Sequence, residues 1–362
     1  MQHGIREKLS PLKMADPGGT TFSGVRPAIA LQILFLVGAV FFLLMGQSPA
    51  WKGLVDNVAI NFLAVTLEAL PFMLIGTLAG GIIEVFLPTL WVERVFRTNR
   101  LRGVFLAGSL GLIFPTCECA IVPVVRRLLG KGVPFSAAVT FLLAGPIVNP
   151  IVAWSTATAY TFSWRIVTIR LACGYLIAVL VGLFLGRFFN RDNGLLPERF
   201  SPAEPCCGHA PAAEGEKPSF RRRLGHALDH AGEDFFVVGR YLVIGTFIAA
   251  LLRSSVSLST FDGLLAAPWT AILVMMAAAI VLNLCSEADA FIAASFRWSL
   301  PDTAQMAFMV LGPMFDIKLL LMYLTVFRKK VIIALSLSTI LAVLMTMLAL
   351  QAFFPQLFLS GP

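Results

Sequence analysis

Phe114-Pro115-Thr116-Cys117-Glu118-Cys119-Ala120-Ile121-Val122-Pro123 interrupts an apolar stretch of helix length with two prolines, two thiols and a carboxylate. A second apolar stretch is interrupted in the same manner by Leu282-Asn283-Leu284-Cys285-Ser286-Glu287-Ala288-Asp289-Ala290. A carboxylate deep in a membrane segment costs several kcal/mol unless it faces a cavity or a partner, so both interruptions mark candidate functional sites.

Similar tails follow the two interruptions at nearly the same distance. Val133-Pro134 and Ala144-Gly145-Pro146-Ile147-Val148-Asn149-Pro150 follow the first, and Leu300-Pro301 and Leu311-Gly312-Pro313-Met314-Phe315-Asp316 follow the second. Superposition puts Pro134 on Pro301, Gly145-Pro146 on Gly312-Pro313 and Asn149 on Asp316. Further back, Ile75-Gly76-Thr77 answers Ile244-Gly245-Thr246, so the chain reads as an internal duplication.

Of the 362 residues, 58% are hydrophobic and only 13% charged, and the mean hydropathy is +0.84. Soluble domains carry about 25% charged residues, so this composition argues for a polytopic membrane protein and against a soluble enzyme. Stretches near the roughly 20 residues needed to span lipid run over 27–47, 55–87, 133–160, 166–189, 235–252, 303–327 and 331–354, with the broken segments 103–125 and 267–296 between them.

The net charge of +8 is carried by short loops beside these spans, where it reports orientation rather than nucleic-acid binding. Arg6, Lys8, Lys13 and Arg26 lie in an N-terminus without a signal-peptide cleavage site, which is expected to be cytoplasmic. The first broken segment is flanked by Arg94, Arg97, Arg100 and Arg102 on one side and Arg126, Arg127 and Lys131 on the other. If it crossed the membrane, one cluster would lie outside. If it turns at Pro115-Thr116-Cys117 and re-emerges, both lie inside together with Arg187, Arg191, Arg221-Arg222-Arg223 and Arg328-Lys329-Lys330.

The expected architecture is therefore an all-α polytopic membrane protein of two inverted repeats. Each repeat contains a broken, re-entrant helix, giving about seven full spans plus two re-entrant segments. The expected divisions are a cytoplasmic N-terminus 1–26, an extra first span 27–48, repeat one 54–189, a cytoplasmic linker 190–225 and repeat two 226–354. The alternative is nine plain spans with proline kinks and satisfied polar groups, which would put Lys131 outside.

Irregular backbone at membrane depth is tolerated only where it is buried in protein or lines a watery cavity. Candidate lining residues are Cys117, Glu118, Cys119, Pro146, Asn149, Cys285, Glu287, Asp289 and Asp316. Thiolates suit soft partners such as Cu(I), Zn(II) and trivalent arsenic, whereas carboxylates suit hard cations and protons. Cys117 and Cys119 diverge by about 200° in a helix and share a face only in an extended turn, so only the extended form chelates through both. The competing reading for the thiols is packing, and for Glu287, Asp289 and Asp316 a structural pairing with Arg297 or Lys318. Glu68 and Glu84 lie in the second span, Glu84 near enough its end to be solvated.

Between the halves, a segment rich in Pro, Ala, Gly and Glu reads as a flexible linker. Within it Pro205-Cys206-Cys207-Gly208-His209 places two thiols and an imidazole in four residues, a candidate capture site for a soft metal or metalloid through Cys206, Cys207 and His209. An amphipathic stretch over 219–239 is expected to lie at the inner membrane surface.

Pro115-Thr116-Cys117-Glu118-Cys119 with Pro123, Gly145-Pro146 and Asn149-Pro150, and Cys285-Ser286-Glu287-Ala288-Asp289-Ala290-Phe291 with Gly312-Pro313 and Asp316 together resemble a bacterial "predicted permease" family. That family includes organoarsenical efflux permeases and relatives linked to metal resistance. The resemblance covers about 55–354 and implies a multi-pass permease of the bacterial inner membrane that exports its substrate and is not an enzyme.

No GxxxxGK[ST] phosphate loop occurs in the chain, so an ion gradient or the substrate's own gradient is expected to drive transport. No cofactor is expected. The expected partners are the lipid bilayer and a small-molecule or metal(loid) substrate, not nucleic acid, with the oligomeric state open. A channel and a membrane thiol-redox protein are the rival classes.

Overall fold

The computed structural model describes residues 36–38, 40, 44, 51–86, 100–113, 117–196, 220–255 and 267–353. The chain divides into Met1–Lys52 and Gly53–Pro362, and the expected first span lies almost wholly outside the described residues of the first unit.

In Gly53–Pro362 the secondary structure is helical, and among the described residues the only extended pairing is an isolated bridge between Leu195 and Phe327. The helices of the first half are α1 (Lys52–Phe86), α2 (Arg100–Ser109, continued by a 3-10 turn Leu110–Leu112), α3 (Glu118–Gly130), α4 (Phe135–Ala144), α5 (Pro150–Ala159) and α6 (Trp164–Phe188). A short α7 (Arg191–Gly194) follows. The second half supplies α8 (Phe220–Ser255), α9 (Pro268–Leu282), α10 (Ala288–Ser295), α11 (Asp302–Leu311), α12 (Ile317–Tyr323) and α13 (Lys329–Phe353). α1 and α8 are 35 and 36 residues long, α4 and α11 are both 10, and α6 and α13 are both 25, so the element order repeats as the sequence does.

Contacts at the helix ends fix the direction of each element. At one end, Arg191 donates to the Gly130 carbonyl at 3.1 Å, and the Arg328 side chain donates to the Leu195 carbonyl at 2.9 Å. The Phe135 ring lies 5.9 Å from that of Phe327. Arg126 and Arg127 both pair there with Asp234 of α8, and Arg127 also pairs with Glu84 of α1. At the other end Arg297 donates to Thr161, the Tyr160 hydroxyl donates to Gln305 at 2.8 Å, and Thr303 reaches Gln351. The first is the basic end, where Arg126, Arg127, Lys131, Arg191, Arg328, Lys329 and Lys330 gather.

Traced between these ends, α6 runs from the opposite end to the basic end, and α13 runs the reverse way. The α4–α5 pair leaves the basic end and α11–α12 returns to it. The two halves are therefore antiparallel, the inverted-repeat arrangement expected from the sequence. The broken segments are hairpins. α2 passes Tyr175 and Thr140 at Gly108 and reaches Val148 and Gly145 at Gly111, so it enters from the basic end, and α3 leaves toward it. α9 packs along α11 and α10 ends just before Arg297, so the second hairpin enters from the opposite end. Lys131 thus lies with Arg191 and Arg328, which excludes nine plain spans.

One expectation needs correction. The stretches 133–160 and 303–327 are not continuous helices: each crosses as two half-helices separated at 145–149 and 312–316. Proline at 146 and 313 cannot donate to a helix ladder, and Asn149 and Asp316 restart the chain as N-caps, accepting from Ile151 N at 2.9 Å and Leu319 N at 2.7 Å. Among the described residues, helices long and apolar enough to cross a membrane are Lys52–Phe86, Trp164–Phe188, Leu224–Ser255 and Lys329–Phe353. Glu84, near the end of α1, stays partly exposed at 29% and also pairs with Arg127.

Candidate functional site

Both hairpin tips lie at half-depth, and the local sequence explains how each turns. Cys117 is an extended N-cap (φ −74°, ψ 168°) whose carbonyl accepts from Ala120 N and Ile121 N, which starts α3 and puts Glu118 and Cys119 in its first turn. α9 stops at Asn283, which adopts the left-handed conformation (φ 52°, ψ 48°) that asparagine tolerates better than other side-chain-bearing residues. The Cys285 sulfur then accepts from Ala288 N at 3.4 Å at the start of α10.

The tips meet around Lys318, on the first turn of α12. Its side chain is 2% exposed, and its ammonium lies 2.9 Å from Glu118 Oε1 and 3.2 Å from Asp316 Oδ2. The same nitrogen donates to the carbonyls of Leu284 at 3.2 Å and Asn283 at 3.5 Å. The Asn283 amide, oriented to donate, reaches Asp316 Oδ2 at 2.7 Å. Ser286 stands between two carboxylates, 3.2 Å from Glu118 Oε2 and 3.4 Å from Glu287 Oε2. Arg170 of α6, fully buried, donates to Thr156 Oγ1 at 2.7 Å and to the Ser286 carbonyl at 2.8 Å, tying the first half to the tip of the second hairpin.

Beside this cluster lies a small recess lined by Cys117, Glu118, Cys119, Cys285, Glu287 and Lys318, with Glu68 and the apolar wall Val65, Ala69 and Phe72 supplied by α1. Cys117, in extended conformation, and Cys119, in the first turn of α3, interact through their thiols. The Cys285 thiol donates to Glu68 Oε1 at 2.7 Å.

Five of the nine lining residues expected from the sequence therefore share this recess: Cys117, Glu118, Cys119, Cys285 and Glu287. The other four do not line it. Asp316 stands behind Lys318 and also caps α12. Asp289 is buried, with Oδ2 unpartnered among the described residues and pressed against Gly312. Asn149 is the buried cap of α5, and Pro146 lies in the break before it. The expected capture site of Cys206, Cys207 and His209 lies outside the described residues, as do Pro115 and Thr116. Among the described residues no group of three His, Cys, Asp or Glu side chains is arranged to hold a metal ion.

Sequence reading passed over Lys318 as the centre, and over Arg170, Asn283, Ser286 and Glu68 as members. A signal did exist for Arg170, a lone cation inside an otherwise apolar span. In Phe315-Asp316-Ile317-Lys318 the sequence offers Lys318 only as a structural partner for a nearby acid. It does pair with Asp316, but it pairs across the repeats with Glu118 as well.

Glu118, Glu287, Asp289 and Asp316 contribute four carboxyl groups around two cationic side chains, Lys318 and Arg170, with the more exposed Glu68 beside them. Low dielectric does not tolerate such an excess uncompensated, so the cluster calls for protons or for a cationic guest. A multi-pass membrane protein with paired broken helices and an ionisable recess at half-depth has the build of a membrane transporter.

The chain belongs to the family described as "Predicted permease", whose match covers residues 55–352. UPF0718 protein YcgR of Bacillus subtilis is 42% identical over 74% of this chain and 88% of its own length. A "Putative two-component membrane permease complex subunit" of Streptococcus mutans is 39% identical over 75% of this chain and 87% of its own. UPF0718 protein YraQ of Escherichia coli is 27% identical over 51% of this chain and 49% of its own. No solved structure matches the chain.

Proposed function

We propose that this permease exports a soft, thiol-reactive species, a trivalent organoarsenical or a soft metal ion, through the recess between the hairpin tips. The observation that carries this reading is the gathering of Cys117, Cys119 and Cys285 around one recess with carboxylates beside them. A thiol must lose its proton to bind a soft centre. Glu68, the acceptor of the Cys285 S–H, takes that proton as the sulfur binds and returns it on release. Val65, Ala69 and Phe72 offer an organic substituent an apolar surface.

Residues 54–189 and 226–354 are the two repeats that rock about the site, with 190–225 as the linker whose Cys206, Cys207 and His209 capture the substrate. The basic end faces the cytoplasm of the inner membrane, by the bias of lysine and arginine toward that side, and the N-terminus lies there too. Ion-coupled alternating access supplies the energy. The Streptococcus relative is described as a complex subunit, so co-purification of this chain with a second membrane protein tests whether it too has a partner component.

The decisive experiment is a resistance and efflux assay in a sensitised bacterial host, comparing the intact chain with Cys117→Ser/Cys119→Ser, Cys285→Ser and Glu287→Gln. Challenge would be with methylarsenite, arsenite, Cu(I) and Zn(II). Protection against one of these, lost in the thiol variants, is the expected result. No protection against any of them overturns the soft-substrate reading.

A further inference from the structure

We propose that Glu118, Asp316 and the carbonyls of Asn283 and Leu284 form a binding site for a monovalent alkali-metal cation, held in this structure by the Lys318 ammonium as a tethered occupant. This rests on the permease reading and names the ion that couples to it.

The ammonium sits in a cage of four oxygens, two from carboxylates and two from backbone carbonyls, at 2.9–3.5 Å. Hard, oxygen-only surroundings with carbonyls pointing inward are those that replace the hydration shell of an alkali ion. The carbonyls are free to do so because α9 has ended at Asn283 and α10 has not begun. Each carboxylate is fixed independently: Asp316 by the α12 amide of Leu319 and by Asn283, and Glu118 by Ser286. The cage would therefore persist without the ammonium.

Two further observations point to a guest. One tethered cation faces two carboxylates in the cage, and with Glu287 against Glu118 through Ser286 and buried Asp289 beside Arg170, four carboxyl groups face two cations, so the site remains short of positive charge with Lys318 in place. Lys318 and Glu118 also line the recess, so an ion arriving there meets the cage directly, and the flexible four-carbon stem lets the ammonium withdraw as the ion enters. Exchange of a tethered for a mobile cation gives two states of one site, as coupling requires.

Purified full-length protein decides this without any thiol-reactive substrate. In Lys318→Met, thermal unfolding at fixed pH and ionic strength is expected to rise by at least about 3 °C when choline is replaced by sodium or potassium. The rise is expected to vanish in Lys318→Met/Asp316→Asn. A folded Lys318→Met protein that responds to pH but not to either alkali ion overturns the proposal, because the carboxylates then take protons only.

If Lys318→Met does not fold, wild-type proteoliposomes on a solid-supported membrane decide. A jump in sodium or potassium against choline is expected to give a transient charge displacement that Asp316→Asn abolishes, and silence toward both ions overturns the site. The soft-substrate reading fails or stands by the efflux assay alone, so the two failures are separable.

Discussion

Asp316 has two jobs, and one substitution separates them. Its Oδ1 caps α12 through Leu319 N, and its Oδ2 faces Lys318. Asn149 caps α5 in the other repeat with no charge, so Asp316→Asn is expected to keep the cap while halving the carboxylate charge on the ammonium. Asp316→Ala loses both, and is expected to be about 1 kcal/mol less stable than Asp316→Asn in thermal unfolding. Asn283 is a second case. Asn283→Gly loses the bond to Asp316, about 1 kcal/mol, but also relieves the left-handed region of a Cβ, whereas Asn283→Ala loses the bond and keeps the Cβ, so the alanine variant is expected to be about 1–2 kcal/mol less stable than the glycine variant in the same melting series. At this scale the sequence was legible where a polar residue broke an apolar run, as at Cys117-Glu118-Cys119 and Cys285. It was illegible where the role depended on the other repeat: nothing near Lys318 in the chain announces Glu118, 200 residues earlier.

Glycines set how closely the long helices approach the tips. A Cβ at Gly76 of α1 would lie 2.5 Å from the Ala120 carbonyl oxygen, and one at Gly245 of α8 would lie 2.8 Å from Lys318 Cα. Both obstacles are backbone and cannot turn aside, so Gly76→Ala and Gly245→Ala are each expected to cost about 1–3 kcal/mol and to lower transport activity. Gly225→Ala, on the same α8 but with open space around it, is expected to be neutral or to gain up to about 1 kcal/mol in the same assay. The helical breaks at 145–149 and 312–316 were visible as Gly-Pro pairs yet were read as parts of continuous spans. A count of apolar residues runs straight over glycine and proline, whereas the hydrogen-bond ladder does not.

Inversion of the two halves followed from the placement of basic residues, and the structure shows why that signal worked: Arg191, Arg328 and the Arg126-Arg127 pair all bond at one end. In a background with its native cysteines replaced by serine, Lys131→Cys and Lys329→Cys are expected to react with a membrane-impermeant maleimide from the same side. Trp298→Cys, at a position 91% exposed beyond α10, is expected to react from the other. Labelling of Lys131→Cys and Lys329→Cys from opposite sides would contradict the hairpin reading of α2 and α3. Those hairpins enter from opposite ends and stop at half-depth, which has an electrical consequence. A charge resting between the tips has crossed roughly half of the transmembrane voltage, so each elementary charge carried past that point gains or loses about 1 kcal/mol at 100 mV on either side. The turnover of this protein with a charged cargo is therefore a function of membrane potential, shared between the inward and outward steps.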